Sequence, residues 1–323
     1  MVKFLNQPKI SGHEADRDLD KAKIYLIPKI EEFILNHLIF TGESINVSFL
    51  HTGISSLVCL IESVSYKYIL KMKLRPSDVN MEASFLVKWE ELGIKVPHIY
   101  EIGKLEDYNY ILMEYIDSDI LTKVYNIDEL ISKNIFFEMG QILNKIHTLK
   151  TKGYGHWVAN EQAQYNTFED WINNESFIQK QIKYTKDNNL LPEEIFGSFE
   201  EKIHIMIDFV NKDKTSTYCH LDFSPNNILA TDPITIFDPV CLINHPYIDL
   251  ARSIIQSTAN CHDFRGSEQI IDGYCHLDKN LFDKEIFKAF LLFTAYLKFP
   301  YWHKKNKTDI IDLVKGFLLK NNI

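Results

Sequence analysis

At roughly 150 residues per domain, a chain of 323 residues is one large domain or two ordinary ones. Hydrophobic residues make up 46% and charged residues 24%, enough to bury a sizeable core, which excludes a disordered or fibrous protein. Lys and Arg number 35 against 44 Asp and Glu, a formal charge of −9 that argues against non-specific nucleic-acid binding and is compatible with a cationic small substrate.

The amino terminus meets charge and proline before any apolar run forms, so no secretory signal is expected. Val47 to Leu50 and Leu57 to Glu62 read as short strands flanking a turn-rich loop, His51 to Ser56. Lys67 to Lys73 alternates, with Tyr68, Leu70 and Met72 on one face and Lys67, Ile69, Lys71 and Lys73 on the other. Asn80 to Leu92 carries helical apolar spacing (Met81, Phe85, Leu86, Trp89, Leu92) and stops at Gly93. Pro97 to Gly103 and Asn109 to Ile116 complete an antiparallel sheet with one helix inserted after its third strand.

From about residue 119 the period becomes helical. Phe136 to Leu149 is amphipathic, helices follow near 167–185 and 193–211, and 217–240 is a compact region holding two short strands. Residues 246–323 read helical, ending in the amphipathic segment Asp309 to Leu319. The expected class is α+β, with a small antiparallel-sheet lobe over 1–116 and a large, mainly helical lobe over 117–323. Five cysteines form no Cys-x-x-Cys pair, and Cys261-His262 with Cys275-His276 fits no usual zinc spacing; free thiols suit a reducing cytoplasm. The longest apolar run, Ala289 to Phe299, has eleven residues and carries Lys298, too short to span a bilayer, so no membrane partner is expected.

The most informative segment is Thr217 to Val240. It holds His220-x-Asp222-x4-Asn227, the apolar pair Ile228-Leu229, a turn at Thr231-Asp232-Pro233, and Ile234 to Phe237 leading into Asp238. Singly, each Asp and Asn is a turn former. Together they are a loop, a strand, a turn and a second strand that set three oxygen-bearing side chains around one spot. Phosphoryl transfer needs this set: a carboxylate to orient the attacking hydroxyl and accept its proton, and hard oxygen ligands for Mg²⁺. Asp222 suits the first role, and Asn227 with Asp238 the second.

This segment resembles the catalytic and metal-binding loops of the aminoglycoside phosphotransferase and choline kinase superfamily, which has a protein-kinase-like fold. Supporting matches run over about residues 45–255. Pro246-Tyr247-Ile248-Asp249-Leu250-Ala251 is similar to the helix start that follows the second metal-binding Asp, where an early Asp such as Asp249 also suits a helix dipole. Met139-Gly140-Gln141-Ile142-Leu143 through His147 looks like a further family helix. The resemblance implies that Lys71 holds the nucleotide phosphates, with Lys73 as the alternative, and that Glu82 pairs with it. It implies backbone and hydroxyl contacts to phosphate from Gly53 and Ser55, an adenine-binding hinge over Ile111 to Ile116 that includes Glu114 and Ile116, and a supporting role for His220. No Walker-type loop is present, Pro239 stands where protein kinases have Phe-Gly after Asp238, and no Ala-Pro-Glu follows, which argues against P-loop and protein kinases.

The implied activity is transfer of the γ-phosphoryl group of Mg·ATP or GTP to a hydroxyl of an amine-bearing small molecule, an aminoglycoside-type antibiotic first. Choline, homoserine, methylthioribose or fructosamine kinases are the alternative, followed by a non-catalytic nucleotide-binding protein of the same fold. Residues 160–210 carry ten acids against four bases, a surplus that would draw a polycation. Gly153-Tyr154-Gly155 with Thr167 to Trp171 is similar to an arrangement in several members, including the hygromycin B kinase, and makes Tyr154 and Trp171 candidates to stack on a sugar ring.

Overall fold

The computed structural model describes residues 1–11, 17–40, 44–50, 56–74, 79–159, 162–191, 195, 197, 199–276 and 282–323. The chain forms two compact units: 1–91 with 95–117, and 92–94 with 118–323.

The first unit is built on a six-stranded sheet of β1 (Val2–Phe4), β2 (Ile45–Leu50), β3 (Ser56–Glu62), β4 (Lys67–Lys73), β5 (Ile99–Leu105) and β6 (Tyr108–Glu114), in the order β1-β2-β3-β4-β6-β5. All neighbours are antiparallel except β1, which pairs parallel with β2 from Val2↔Ile45 to Phe4↔Val47. Two helices cover the sheet, not the one expected. In α1 (Arg17–Asn36), Leu19, Ala22, Leu26, Ile30 and Ile34 recur every three or four residues and pack with Val47, Phe49, Leu70 and Met72 on one face. Pro28 lies on the exposed side of this helix. On the other face, α2 (Val79–Glu91) buries Val79 and Ala83 against Ile111 and Met113. Gly93, at φ +71°, follows this helix in the left-handed region that glycine tolerates. β4 is central, so its alternation sends Leu70 and Met72 to the α1 side, while Lys71 reaches Glu82 of α2.

The second unit opens with α3 (Leu121–Val124), α4 (Ile127–Ser132) and α5 (Ile135–Ile146). The expected helix over 167–185 is two, α6 (Phe168–Asn174) and α7 (Ser176–Asp187), because Glu175 leaves helical geometry at ψ 109° and caps the second. The next helix is α8 (Phe199–Asp213). The two expected short strands are present as a hairpin, β10 (Ile228–Leu229) with β11 (Thr235–Ile236). A further four-stranded sheet lies beyond that expectation: β7 (Tyr154–Ala159), β8 (Gln162–Tyr165), β9 (Thr217–Cys219) and β12 (Leu242–Asn244), in the order β8-β7-β12-β9. The remainder is α9 (Pro246–Cys261), α10 (Gly266–Tyr274), α11 (Lys284–Lys304) and α12 (Thr308–Lys320). Helices α5 and α10 meet backbone to backbone: a Cβ on Gly140 would stand 2.1 Å from the Ile270 carbonyl oxygen, and one on Gly273 2.0 Å from that of Phe137. Among the described residues no helix is long and apolar enough to cross a membrane, and all five cysteines are free thiols.

Candidate active site

In the first unit, Lys71 and Glu82 are brought together. Lys71 sits on the central strand and Glu82 in the first turn of the helix that covers it, both almost fully buried. Lys71 Nζ donates to Glu82 Oε1 at 2.6 Å, and Lys73 Nζ stands 2.6 Å from Oε2, so one carboxylate holds both lysines. The choice between the two lysines left by the sequence is therefore a choice within one cluster; Lys73 is the more exposed, at 18% against 8%. Gly53 and Ser55 lie outside the described residues. Glu114 ends β6, with its N–H donating to the His98 carbonyl at 2.8 Å, and Ile116 follows it half-buried.

In the second unit the segment after β9 is a loop whose polar groups are nearly all assigned. His220 is fully buried. Its Nδ1 accepts the Asp222 N–H at 3.2 Å, so the proton resides on Nε2, which donates to the Phe237 carbonyl at 3.1 Å. Burial holds this imidazole below the ordinary histidine pKa and keeps that tautomer. Asn227 Nδ2 donates both to the Asp222 carboxylate (2.7 Å) and to the Asp222 carbonyl (2.8 Å), clamping side chain and backbone at once. The hairpin then brings Asp238 alongside: the Phe237 N–H donates to the Asn227 carbonyl at 3.2 Å, and Asp238 follows, exposed, at φ +54°. Because the Asn227 nitrogen is committed to Asp222, its Oδ1 is the atom left for a ligand. With the Asp238 carboxylate this makes an all-oxygen donor pair of the kind that hard Mg²⁺ takes.

Asp249, in the first turn of α9, does more than complement the helix dipole. Its buried carboxylate accepts the N–H groups of His220 (2.8 Å) and Leu221 (2.7 Å) and contacts His147 Nε2 at 3.1 Å. Leu221 is in left-handed conformation at φ +59°, unfavourable for a side chain with Cβ, and the Asp249 carboxylate supplies the hydrogen bond that holds it there. His147, Cys219 and Asp249 set three potential ligand atoms within 4.8 Å, but the imidazole and the carboxylate are spent on Tyr274 and the loop, and burial keeps the thiol protonated.

Two basic groups beside Asp222 escaped the sequence reading. Arg252 Nε donates to the Leu221 carbonyl at 3.2 Å, and burial pushes its guanidinium down to about 10. Lys298 of α11 is pushed down to about 7, by burial first and then by Arg252, with the Asp222 charge opposing. The signal for Lys298 was present in the sequence, as the single charge inside an eleven-residue apolar run. Asp222, Asn227 and Lys298 line a cavity of ≈ 460 Å³, together with Gln256, Asn260 and Lys307. Tyr154 and Trp171 are not in it. They are 5% and 4% exposed and pack on Phe168, at ring distances of 5.5 and 5.4 Å, as core residues. Nor does any described residue of 160–210 line it. Several described acids of that stretch occupy first turns of helices, such as Glu169 and Asp170, or surface pairs, such as Glu200 with Lys186 at 3.0 Å.

The model of the phosphotransferase enzyme family matches residues 46–288. No curated protein sequence matches the chain. Solved structures share its fold at low identity. A thermostable mutant of aminoglycoside phosphotransferase APH(4)-Ia, in ternary complex with AMP-PNP and hygromycin B, is 14% identical with a TM-score of 0.64, over 91% of this chain and 99% of that one. A putative fructosamine-3-kinase from Thermobifida fusca YX-ER1 is 16% identical with a TM-score of 0.56, over 85% and 94%. Spectinomycin phosphotransferase APH(9)-Ia, in complex with ADP and spectinomycin, is 14% identical with a TM-score of 0.56, over 88% and 93%. With three-quarters of its length under one family model and an α+β, protein-kinase-like fold, the chain belongs to the phosphotransferase enzyme family.

Proposed function

We propose that the protein is a small-molecule kinase that transfers the γ-phosphoryl group of ATP or GTP, presented as its Mg²⁺ complex, to a hydroxyl of its acceptor. The observation that carries this reading is the Asn227 clamp on Asp222. It fixes the carboxylate in one orientation beside a cavity of small-molecule size and leaves the amide oxygen outside the contact with Asp222.

In this reading Asp222 orients the acceptor hydroxyl and takes its proton as the new O–P bond forms and the bond from the γ-phosphorus to the bridging oxygen breaks, releasing the nucleoside diphosphate. His220 and Asp249 act as positioning residues, holding the backbone on either side of that carboxylate. Asn227 Oδ1 and Asp238 would hold Mg²⁺, which when bound neutralises phosphate charge. Lys71, oriented by Glu82, would receive the nucleotide phosphates, with Lys73 sharing the same carboxylate. Glu114 and Ile116 would offer backbone groups to the base; the phosphate contacts that the resemblance implies for Gly53 and Ser55 fall outside the described residues.

Of the acceptors implied by the sequence, the aminoglycoside type drew support from the acidic stretch 160–210, and hygromycin B and spectinomycin are the ligands of structural neighbours. The lining around Asp222, with Lys298 and Lys307, supplies a more direct criterion. The kinase reading itself is tested by coupled ADP release with Mg·ATP and Mg·GTP over a broad panel of hydroxylated acceptors. Acceptor-dependent release is expected; silence combined with no binding of either nucleotide would overturn the reading.

A further inference from the structure

Resting on the kinase reading, we propose that the acceptor carries an anionic group, a carboxylate or a phosphate ester, seated against Lys298 and Lys307 while its hydroxyl meets Asp222.

The charge around the cavity points this way. Asp222 is the only carboxylate among the described lining residues, and Lys298 and Lys307 stand with it. Lys298 is not there by default. It interrupts the apolar run of α11, between buried Tyr296 and Phe299. Among the described residues it forms no ion pair, and its Nζ lies 5.4 Å from the Tyr301 ring. A lysine held for structure is normally paired or extended into water, because a desolvated ammonium without a counter-charge is costly. Here its neighbours are a second cation, Arg252, and the carboxylate assigned to the reaction.

Uncharged donors converge on the same space. Gln256 is 6% exposed, lines the cavity, and has a side-chain nitrogen that finds no acceptor. Lys307, the N-cap of α12, lines the cavity and makes no side-chain capping bond, which places the start of a thirteen-residue helix at the cavity edge. Two lysine side chains, the start of a helix and an amide N–H without an acceptor offer donors to oxygen anions, and an anion seated here would favour the charged form of Lys298. A polyamine such as an aminoglycoside would bring its charges against Lys298 and Lys307, with Asp222 the one carboxylate among the described lining residues to answer them. His262 at the rim has its own partner, Asp309 at 3.6 Å.

The test compares ADP release from Mg·ATP with glycerate, glycerol 3-phosphate, glycerol, choline and hygromycin B as acceptors, in wild type, Lys298→Met and Lys298→Arg. In parallel, inorganic phosphate is titrated against the thermal transition of the same proteins and of Lys71→Met. Glycerate or glycerol 3-phosphate is expected to be preferred; the first identifies a carboxylate, the second a phosphate ester. Losing one charge-assisted partner should raise the acceptor KM or the phosphate Kd of Lys298→Met by about tenfold or more, with the KM for ATP within about twofold and partial rescue in Lys298→Arg. Phosphate binding should persist in Lys71→Met, which separates this cavity from the nucleotide phosphates. Preference for choline or hygromycin B, or phosphate affinity equal in wild type and Lys298→Met, would overturn the proposal. Absence of nucleotide binding with phosphate still held by Lys298 would instead sink the kinase reading and leave the anion site standing.

Discussion

Asp222 is held by three distinct bonds: its N–H to His220, and its carbonyl and carboxylate oxygens to Asn227. Replacing Asn227 by Asp keeps the size, removes the donor and sets a second carboxylate against the first. Turnover should fall by roughly 10²-fold or more as the orientation of Asp222 is lost; steady-state kinetics within about threefold of wild type would show that the clamp is dispensable. At this scale the sequence was readable where chemistry is local. His220, Asp222 and Asn227 lie within eight residues, and their spacing alone brings them together. Asp249 was legible as a helix-start acid but not as the acceptor for two loop N–H groups, because that bond spans 28 and 29 residues. Lys298 was noticed only as an obstacle to membrane insertion; its meaning depends on facing Asp222, 76 residues earlier, which periodicity cannot report.

Among the elements, α9 carries both Asp249 and Arg252, so its start bears on the whole loop. His245 caps it through Nδ1, which accepts the Tyr247 N–H at 3.1 Å, while Nε2 donates to Asp213 at 3.1 Å. Burial lowers the His245 pKa despite Asp213, with His147 and Lys150 pushing the same way, so the neutral imidazole is the folded form. The sign follows: stability from this group is full above the unfolded value near 6.5 and is lost as pH falls below it. His245→Asn, which keeps a capping oxygen but does not titrate, should flatten the fall of the unfolding midpoint between pH 7 and 5. His220 titrates in the same direction, so the slope is reduced and not abolished; equal slopes in the two proteins would contradict the role. Packing of α5 on α10 yields a second expectation. Gly140→Ala forces a methyl group into the Ile270 carbonyl, and overpacking of this kind should cost on the order of 3 kcal/mol, read by denaturant unfolding. An unchanged midpoint would mean that the two helices part easily.

The same division between local and distant signals explains which elements were legible. β2 to β6 and α2 declare themselves by alternation or a 3.6-residue period over seven residues or so. The strands β9 and β12 have three residues each and find partners about 25 to about 90 positions away, Gly155 pairing with Ile243 and Tyr218 with Ile243, so nothing local marks them. Helix α1 was missed for a different reason: its Leu19 to Ile34 spacing is regular, but Pro28 inside it is a breaker signal, and only the exposed position of that ring makes it tolerable.

For the whole molecule, nucleotide binding and folding should be linked. If Lys71, oriented by Glu82, holds the phosphates, Mg·AMP-PNP at a hundred times its Kd should stabilise the protein by about 2.7 kcal/mol. The shift in the thermal transition should survive in Asp222→Asn and shrink in Lys71→Met. A full shift in Lys71→Met would move the phosphate role to Lys73, the other lysine on the Glu82 carboxylate. The net charge of −9 conceals this arrangement: acids outnumber bases over the chain, while the candidate clusters at Lys71–Lys73 and Lys298–Lys307 each hold two lysines to one carboxylate.

The most direct measurement is ADP release by wild type and Asp222→Asn at saturating Mg·ATP and acceptor, with nucleotide affinity determined on the same preparations. The expected result is turnover lost in the variant and affinity retained, as befits a carboxylate that handles the acceptor proton and leaves nucleotide binding to other residues. Turnover near wild type in Asp222→Asn would remove this residue from the reaction and with it the catalytic reading of the cavity.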